Sequence, residues 1–225
     1  MINTRNLKAV AFDMDGTLFN SFTVSYDAVR EGFEQLWEEI GEKGTTPSWQ
    51  KVKLFIGLPS YEFYPAVTEP KYRQHAEKIE EYVGAAERRR LADGHGRCFE
   101  GTHLTLQTLK EHGIILGCLT NAGKRYFNSV MDNCNLGRFF AISRHLGESM
   151  HAGKSDVLRE WSVEFGGGDT LVYVGDREGD IRSAHDAGVQ AVGVTWGYGS
   201  PSELASAEAI IDKMPELLEV LGISD

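Results

Sequence analysis

The sequence predicts an α/β fold: a Rossmann-like parallel β-sheet wound with helices, which carries an inserted α-helical domain. The first observation is that short apolar runs recur along the chain, each followed by Gly, Asp, Asn or Thr and then by a helix-like segment. The second is that these runs are almost continuously apolar, as strands covered on both faces are. The third is a long helix-like interval between the first run and the second.

Five apolar runs are expected to be the strands of this sheet. They cover residues 7–12, 114–119, 139–142, 171–174 and 191–194. Ligands of open parallel sheets bind beyond the carboxyl ends of the strands. Three of the runs lead into polar residues, at Asp13, at Thr120 with Asn121, and at Asp176. The sequence therefore makes these residues candidates for one shared site.

The interval from about residue 20 to residue 97 has the pattern of helices. One helix is expected over residues 22–40 and another after Pro70. The apolar stripe of the second repeats at alternating spacings of four and three: Tyr72, Ala76, Ile79, Val83 and Ala86. The interval is too long to be a loop. The predicted division is therefore a core domain of residues 1–19 and 97–225 and a helical domain of residues 20–96.

Composition and charge narrow the class of protein. The chain has 225 residues and a formal net charge of -10, which disfavours broad nucleic-acid binding because such binding depends on Lys and Arg. No run approaches the roughly 18 apolar residues of a membrane span, and the polar N-terminus leaves no room for a signal peptide's apolar core. We expect a cytoplasmic protein without nucleic-acid or membrane partners, either a monomer or a homodimer.

Acidic residues at the strand ends indicate a divalent metal site. If the strands that end at Asp13 and Asp176 are neighbours, their carboxylates converge, and a hard cation makes that convergence favourable. Mg²⁺ prefers oxygen ligands, typically one or two carboxylates with waters and a substrate phosphate. A single Asp at a strand end is about as often a helix cap or a turn former. The joint placement of two such residues favours the metal site.

A hydroxyl and a cation accompany the carboxylates. Thr120 follows an apolar run, where its hydroxyl and the following backbone N–H groups can hold phosphate oxygens at a helix N-terminus. Lys154 lies at the start of a helix-like segment, a position that the helix dipole disfavours for a cation. A lysine directed at anionic oxygens has a reason to be there. Taken alone, the threonine is more often a cap and the lysine more often a surface residue.

Four segments together carry a family resemblance. They occur in order along the chain: Phe12-Asp13-Met14-Asp15-Gly16-Thr17-Leu18, then Thr120, then Lys154, then Gly175-Asp176-Arg177-Glu178-Gly179-Asp180. This pattern resembles the four motifs of the haloacid dehalogenase-like hydrolase superfamily. Residues 55–59 and 195–199 are similar to its phosphoglycolate-phosphatase-like branch. The resemblance implies a Rossmann-like core with a helical cap domain.

The resemblance also implies a role for each matching residue. Asp13 would be the nucleophile that forms an aspartyl-phosphate, and Asp15 would be the general acid and base. Mg²⁺ would be bound by Asp13, by the backbone carbonyl of Asp15 and by Asp176. Asp180 would support the metal through water or by orienting Lys154.

The substrate side of the site follows from the same resemblance. Thr120 and the amide of Asn121 would hold the phosphoryl oxygens, and Lys154 would offset charge on both nucleophile and phosphate. The inserted helices would be a lid that excludes water and selects the substrate, with Gly57 among its contact residues. The three arginines at positions 88–90 are expected to form a solvated helix face rather than an anion site.

One position departs from the family pattern. The third motif of this branch commonly has proline after its lysine, whereas Ser155 follows Lys154 here. Proline would pre-set the first turn of the helix, so its absence bears on local rigidity more than on chemistry.

Asp15 favours a phosphohydrolase over a dehalogenase, since a departing halide needs no proton and an alkoxide does.

The sequence is compatible with three functions. The first is a Mg²⁺-dependent phosphatase of a small phosphorylated metabolite, with phosphoglycolate as the leading expectation. The second is a phosphomutase that returns the phosphoryl group to a sugar. The third is a non-catalytic, phospho-accepting regulatory protein, although such receivers are about half this length and lack an inserted lid.

Overall fold

The structure, a computed structural model, describes residues 2–147 and 153–223. Within these residues, the strands form one parallel sheet in the order β3-β2-β1-β4-β5-β6. The strands are β1 (Ala9–Phe12), β2 (Ile115–Thr120), β3 (Ile142–His145), β4 (Leu171–Gly175), β5 (Gln190–Val194) and β6 (Ala209–Ile211). The helices are α1 (Phe22–Ile40), α2 (Trp49–Phe55), α3 (Ser60–Val67), α4 (Ala76–Ala92), α5 (Thr102–Glu111), α6 (Lys124–Asn133), α7 (Lys154–Phe165), α8 (Glu178–Asp186) and α9 (Glu216–Val220). The predicted fold class is confirmed.

Alternate side chains of the central strands enter two hydrophobic cores, one on each face of the sheet. In β1, Val10 and Phe12 pack with residues of α5, α6 and α9, whereas Ala9 and Ala11 pack with residues of α7 and α8. Because helices cover both faces, the central strands are apolar throughout and do not alternate with polar residues. The order of the sheet places the carboxyl ends of β2, β1 and β4 side by side.

Strand β3 differs from the expectation. The strand expected over residues 139–142 instead covers Ile142–His145. Phe139 lies in the preceding turn, and its ring is buried in the core that includes α6. Strand β3 forms an edge of the sheet and its central residues, Ser143 and Arg144, are exposed. The apolar run therefore marks the buried turn and not the strand, and the edge strand β6, with three residues, is too short to give such a pattern.

The helix expected after Pro70 has two parts. A 3₁₀ turn covers Pro70–His75, and α4 begins at Ala76. The predicted apolar stripe faces inward in both parts: Tyr72, Ile79, Val83 and Ala86 are buried. The helix expected over residues 22–40 is α1, with those bounds.

Helices α1 to α4, which lie between β1 and β2, pack around a hydrophobic core of their own. Its buried members all come from this segment: Ala28, Val29, Phe33, Leu36, Trp37, Val52, Ile56, Phe63, Tyr64, Val67, Tyr72, Ile79, Val83 and Ala86. Of the partly buried hydrophobic residues packed against it in the described chain, Tyr198 comes from elsewhere. This separation agrees with an inserted helical domain, whose limits at residues 20 and 96 stay a prediction. None of the described helices is both long enough and apolar enough to span a membrane.

Helices α1 and α4 approach each other closely at Gly32. A Cβ atom added there would lie 2.5 Å from Cγ2 of Val83 and 2.8 Å from its backbone nitrogen. A Cβ atom added at Gly84, in α4 itself, would meet Nη1 of Arg88 at 3.1 Å, at the flexible end of a side chain. The two glycines therefore have different reasons to be in helices.

We expect Gly32→Ala to lower the free energy of unfolding by about 1–3 kcal/mol, because the two helix backbones must separate. Gly84→Ala is the matched control and should leave stability unchanged or raise it by up to about 1 kcal/mol, since alanine has the higher helix propensity. Urea denaturation followed by circular dichroism measures both. Equal effects of the two substitutions would contradict the close contact at Gly32.

Candidate active site

Three neighbouring strands bring polar residues to one edge of the sheet. Asp13 directly follows β1, Thr120 is the last residue of β2, and Asp176 directly follows β4. The backbone N–H of Asp13 donates to the carbonyl of Val174 at 2.9 Å, which continues the strand pairing into the site. All three polar side chains are buried. The structure thus brings together the residues that the strand ends singled out.

The ammonium group of Lys154 connects two carboxylates at the centre of this edge. Its Nζ donates to Oδ1 of Asp13 at 2.6 Å and to Oδ1 of Asp180 at 2.7 Å. Lys154 is the first residue of α7, and 7% of its side chain is exposed. The hydroxyl of Tyr173 lies 3.4 Å from the same Asp180 oxygen and 3.1 Å from the carbonyl of Leu119, and the tyrosine ring centre lies 5.7 Å from Nζ. Lys154 is therefore held between two acids from different elements.

Asp180 also fixes the start of α8. Its Oδ2 accepts a hydrogen bond from the backbone N–H of Arg177 at 3.0 Å, at the N-terminus of the helix. An acidic side chain in the first turn is favoured by the helix dipole and satisfies a backbone donor. One carboxylate thus bonds both the start of α8 and the ammonium group of Lys154.

The centre holds more negative than positive charge. Burial raises the pKa of Asp13 well above its usual value; Lys154 opposes this, and Asp180 and Asp176 add to it. Burial also raises the pKa of Asp176 to about 7, and Asp180 adds to that effect. Burial by itself would lower the pKa of Lys154, but the Asp13 and Asp180 carboxylates raise it well above its usual value. The centre therefore calls for further positive charge, supplied by protons or by a metal ion.

The donor set fits Mg²⁺. Asp13, Asp176 and Asp180 each offer an oxygen atom, and these atoms lie within 4.8 Å of one another. All three side chains are buried, and this group contains no His or Cys. Hard divalent cations take oxygen ligands, and Mg²⁺ commonly needs few carboxylates because it keeps waters and binds substrate phosphate. The residues present would hold that ion.

Asp176 lies in a tightly enclosed position. Its Oδ2 accepts a hydrogen bond from the backbone N–H of Tyr198 at 2.7 Å. Gly16 has a φ of 89°, and a Cβ added there would lie 2.4 Å from the same oxygen. A Cβ at Gly197 would lie 2.3 Å from Cβ of Asp176. The two glycines therefore allow the chain to pass directly over this carboxylate.

Asp15 has a different environment from the other acids. Its Oδ1 accepts a hydrogen bond from the Tyr126 hydroxyl at 3.0 Å. Burial raises the pKa of Asp15 to about 6, although hydrogen bonds from Tyr126 and Ser21 oppose the shift. A carboxyl group with a pKa near neutrality can both donate and accept a proton under ordinary conditions.

Thr120, Asn121 and Gly57 lie around the same edge. The hydroxyl of Thr120 accepts a hydrogen bond from the backbone N–H of Ala122 at 3.1 Å. The side-chain amide of Asn121 donates to the carbonyl of Gly57 at 3.0 Å, which joins the sheet edge to the helical segment. All three of these predicted site residues line the cavity described next.

A cavity of about 520 Å³ lies between the sheet edge and the helices α1, α3 and α4. Its floor contains Asp13, Asp15 and Thr120, and its opposite wall is formed by α3 and α4. A second cavity of about 470 Å³ lies across the Asn121–Gly57 contact and contains Lys154 and Asp180. Asp13 borders both. The first cavity has room for a small ligand beside Asp13.

Several residues at the site were not predicted from the sequence. Tyr126 and Ser21 contact Asp15, and Tyr198 contacts Asp176. Arg88 lines the first cavity, whereas Arg89 and Arg90 pair with Glu31 on α1. The sequence led us to expect a solvated arginine face and did not indicate that Arg88 lines a cavity. Helical spacing could have revealed it, because Arg88 lies on the side of α4 opposite the apolar stripe.

Comparison with known proteins gives consistent results. A family model described as haloacid dehalogenase-like hydrolase matches residues 10–194. A pyrophosphatase of Anoxybacillus flavithermus is 27% identical over 223 residues, which cover 97% of this chain and 99% of that protein. A phosphoglycolate phosphatase of Haemophilus influenzae is 27% identical over 231 residues, which cover 98% of this chain and all of that protein. The similarity therefore extends over both the sheet and the inserted helices.

The fold also matches solved structures. The crystal structure of a predicted phosphoglycolate phosphatase from Haemophilus somnus superposes with a TM-score of 0.84 at 22% identity. The match covers 96% of this chain and 98% of that one. At this level of identity, the likeness concerns the fold.

The raised carboxylate pKa values predict how the stability of the metal-free protein depends on pH. Asp15 and Asp176 have a usual value of 3.8 and folded values of about 6 and about 7, so between these values the folded state binds more protons than the unfolded state. Their contribution to stability is therefore present at low pH and is lost as pH rises through 6 to 7.

We expect Asp176→Asn to flatten this decline, since asparagine does not titrate but can still accept from the Tyr198 N–H. Urea denaturation of both proteins in EDTA, from pH 5 to pH 8, gives the difference between the two curves. A constant difference across this range would contradict the raised pKa. Addition of Mg²⁺ should stabilise the unmodified protein more at pH 7.5 than at pH 5.5.

Proposed function

The chain belongs to the haloacid dehalogenase-like hydrolase family, and we propose that it hydrolyses a small phosphorylated metabolite in a Mg²⁺-dependent reaction that proceeds through an aspartyl-phosphate. It is an enzyme of the phosphoric monoester hydrolase type. The observation that carries the proposal is the meeting of Asp13, Asp15, Asp176 and Lys154 beside a cavity. Phosphoglycolate, named for several relatives, is the reference substrate.

In the first step, an oxygen of Asp13 attacks the phosphorus atom of the substrate. Lys154 holds Oδ1 of Asp13 and so fixes the direction of the carboxylate. The bond from phosphorus to the alcohol oxygen breaks as the bond to Asp13 forms, and Asp15 gives its proton to the departing oxygen. The Tyr126 hydroxyl donates to Oδ1 of Asp15 and so orients the carboxyl group that carries this proton. Positioning and charge neutralisation are the main contributions in phosphoryl transfer.

In the second step, water attacks the phosphorus of the aspartyl-phosphate. Asp15, now ionised, takes a proton from this water, and the bond between phosphorus and Asp13 breaks. Phosphate leaves and Asp13 is restored as a carboxylate. The pKa of Asp15, about 6, suits both directions of proton transfer near neutral pH.

The remaining residues hold the transferred group. The ligands of Mg²⁺ are proposed to be the side chains of Asp13 and Asp176 and the backbone carbonyl of Asp15, with support from Asp180. When bound, the ion supplies positive charge to the phosphoryl oxygens and to the buried carboxylates. Thr120 and Asn121 are proposed to hold phosphoryl oxygens at the end of β2.

The helical segment of residues 20–96 is proposed to act as a cap over the core of residues 1–19 and 97–225. Two contacts hold the end of α2 and the α2–α3 connection near the site. Asn121 donates to the carbonyl of Gly57, and Nη2 of Arg177 donates to the carbonyl of Leu54 at 3.2 Å. Both donors come from strand-end segments of the core. A closed cap excludes bulk water from the aspartyl-phosphate and presents side chains to the alcohol part of the substrate.

The two alternatives that the sequence left open differ in product. A phosphomutase retains the phosphoryl group on a sugar, and a regulatory protein keeps a long-lived aspartyl-phosphate. Membership of a hydrolase family favours turnover to free phosphate. Release of inorganic phosphate in proportion to substrate consumed separates the proposed reaction from both.

Asp13→Asn is expected to lower phosphate release by about 10³-fold or more, since the amide is a poor nucleophile. EDTA should have a similar effect that excess Mg²⁺ reverses. A malachite-green assay of phosphate from phosphoglycolate and p-nitrophenyl phosphate measures both. The exposed Asp132→Asn is the matched control and should keep full activity. Full activity of Asp13→Asn would refute the proposal.

Asp15→Asn tests the general acid by comparing leaving groups. We expect kcat/KM to fall by about 10²–10⁴-fold for an alkyl phosphate, because its alkoxide needs a proton. For p-nitrophenyl phosphate, whose phenolate leaves without one, kcat/KM should fall by less than about tenfold. This parameter reports formation of the aspartyl-phosphate, so slow hydrolysis of the intermediate does not mask the comparison. Equal losses for the two substrates would remove Asp15 from this role.

A further inference from the structure

The face of α4 that lines the first cavity is strongly acidic. The apolar stripe of this helix packs into the core of the helical segment. The residues of α4 that line the cavity lie on the other side of the helix, at the same helical spacing: Glu77, Glu80, Glu81, Gly84, Glu87 and Arg88. Four carboxylates and one guanidinium thus form the wall opposite Asp13 and Asp15. A ligand that reaches this wall meets an excess of negative charge.

Glu87 is the innermost of these acids. It is half-buried, and the Ser25 hydroxyl donates to its Oε1 at 2.9 Å. Burial raises the pKa of Glu87 to about 7; Ser25 opposes the shift, and the negative charge of Asp15 adds to it. The ionised carboxylate therefore lacks sufficient positive charge around it. A cation in the cavity would stabilise that form.

Tyr64 supplies an independent sign of a ligand at the same place. Its side chain lines the cavity and the residue is only 7% exposed. Within the described residues, its hydroxyl makes no hydrogen bond. The charged groups that act on this hydroxyl are Glu87, Glu80 and Arg88. A hydroxyl of a largely buried tyrosine that lines a polar cavity and has no partner within the protein is a position that a ligand can fill.

Gly84 keeps this wall open. It lies in the middle of α4, where glycine is less favourable than alanine by about 1 kcal/mol. An added Cβ would approach Nη1 of Arg88 at 3.1 Å. The helix therefore has no side chain between the acidic residues on either side of this position. The space belongs to the cavity that contains Asp13.

From this wall we propose that the preferred substrate is a phosphate monoester of an amino alcohol, whose protonated amine lies against Glu80, Glu87 and the Tyr64 hydroxyl. The inference rests on the proposed function and names the substrate class of the same site. A carboxylate in the alcohol part, as in phosphoglycolate, is repelled by the four glutamates, and the cavity lining offers it two guanidinium groups, those of Arg88 on α4 and Arg125 on α6. A neutral hydroxyl is intermediate. Charge complementarity thus distinguishes substrates of equal size.

Three two-carbon esters test this preference. They are 2-aminoethyl phosphate, 2-hydroxyethyl phosphate and phosphoglycolate, which present an ammonium, a hydroxyl and a carboxylate at nearly the same distance from phosphorus. We expect kcat/KM to fall in that order, with about tenfold or more between the first and the last. Raising the ionic strength should reduce the ratio, since part of the acidic wall is exposed to solvent.

Charge-neutral substitutions on α4 should move the ratio in opposite directions. Glu87→Gln and Glu80→Gln each remove one negative charge and should reduce the preference for the amine over the carboxylate by about fivefold. Arg88→Gln removes the one positive charge of this wall and should increase that preference. Glu38→Gln is the matched control on the cap helix α1, exposed and outside both cavities, and should leave the ratio unchanged. The exposed Glu80 keeps the test valid if Glu87→Gln fails to fold.

The outcomes separate this inference from the proposed function. The expected order of substrates together with opposite shifts in the Glu and Arg variants supports the amino-alcohol class. A preference for phosphoglycolate, or a ratio that neither glutamate variant changes, overturns it while phosphate release still supports the hydrolase. If none of the three esters and no p-nitrophenyl phosphate is hydrolysed, the proposed function itself fails and this inference fails with it.

Discussion

The two short contacts of the Lys154 ammonium, to Asp13 and to Asp180, are the interaction on which the site depends. A buried carboxylate is costly unless it is paired, and removing one partner of a buried pair leaves the other charge uncompensated. Lys154 begins α7, Asp13 ends β1 and Asp180 belongs to the first turn of α8. The ion pair thus joins three elements that are distant in sequence. The serine that follows the lysine, in place of proline, leaves this geometry intact.

The order of the sheet explains why the acids meet. Strand β1 is central, and the chain continues first to β2 on one side and later to β4 on the other. Open parallel sheets bind ligands at such a point, where the connections that follow two neighbouring strands lead to opposite sides of the sheet. Asp13 and Asp176 approach each other because β1 and β4 are paired in register from Ala9 with Leu171 to Phe12 with Val174. Their mutual repulsion then makes a site for a cation.

Residues with a strong local signal could be predicted from the sequence, and those positioned by tertiary contacts could not. The central strands are apolar because both faces are covered, so β1, β2, β4 and β5 were found within a few residues of their bounds. Strand β3 was misplaced because an edge strand with exposed Ser143 and Arg144 has no such pattern. Tyr126 reaches Asp15 from α6, 111 positions away along the chain, and no short motif marks it. Arg88 was grouped with its neighbours because a run of three arginines conceals that only one of them faces the cavity.

Tyr198 has contacts at both of its ends. Its backbone N–H holds Asp176, while its hydroxyl accepts from the backbone N–H of Phe22, at the start of α1, at 2.9 Å and lies 3.0 Å from the Ser21 hydroxyl. One residue thus contacts a carboxylate of the acidic centre and the point where the chain leaves the sheet for the helices. Such a connection is thermodynamically reciprocal. If the orientation of the helices changes the affinity of the centre for a cation, then cation binding changes the equilibrium between those orientations by the same free energy. A cation bound at the centre, as proposed, would in this way be coupled to the orientation of the helical segment through Tyr198.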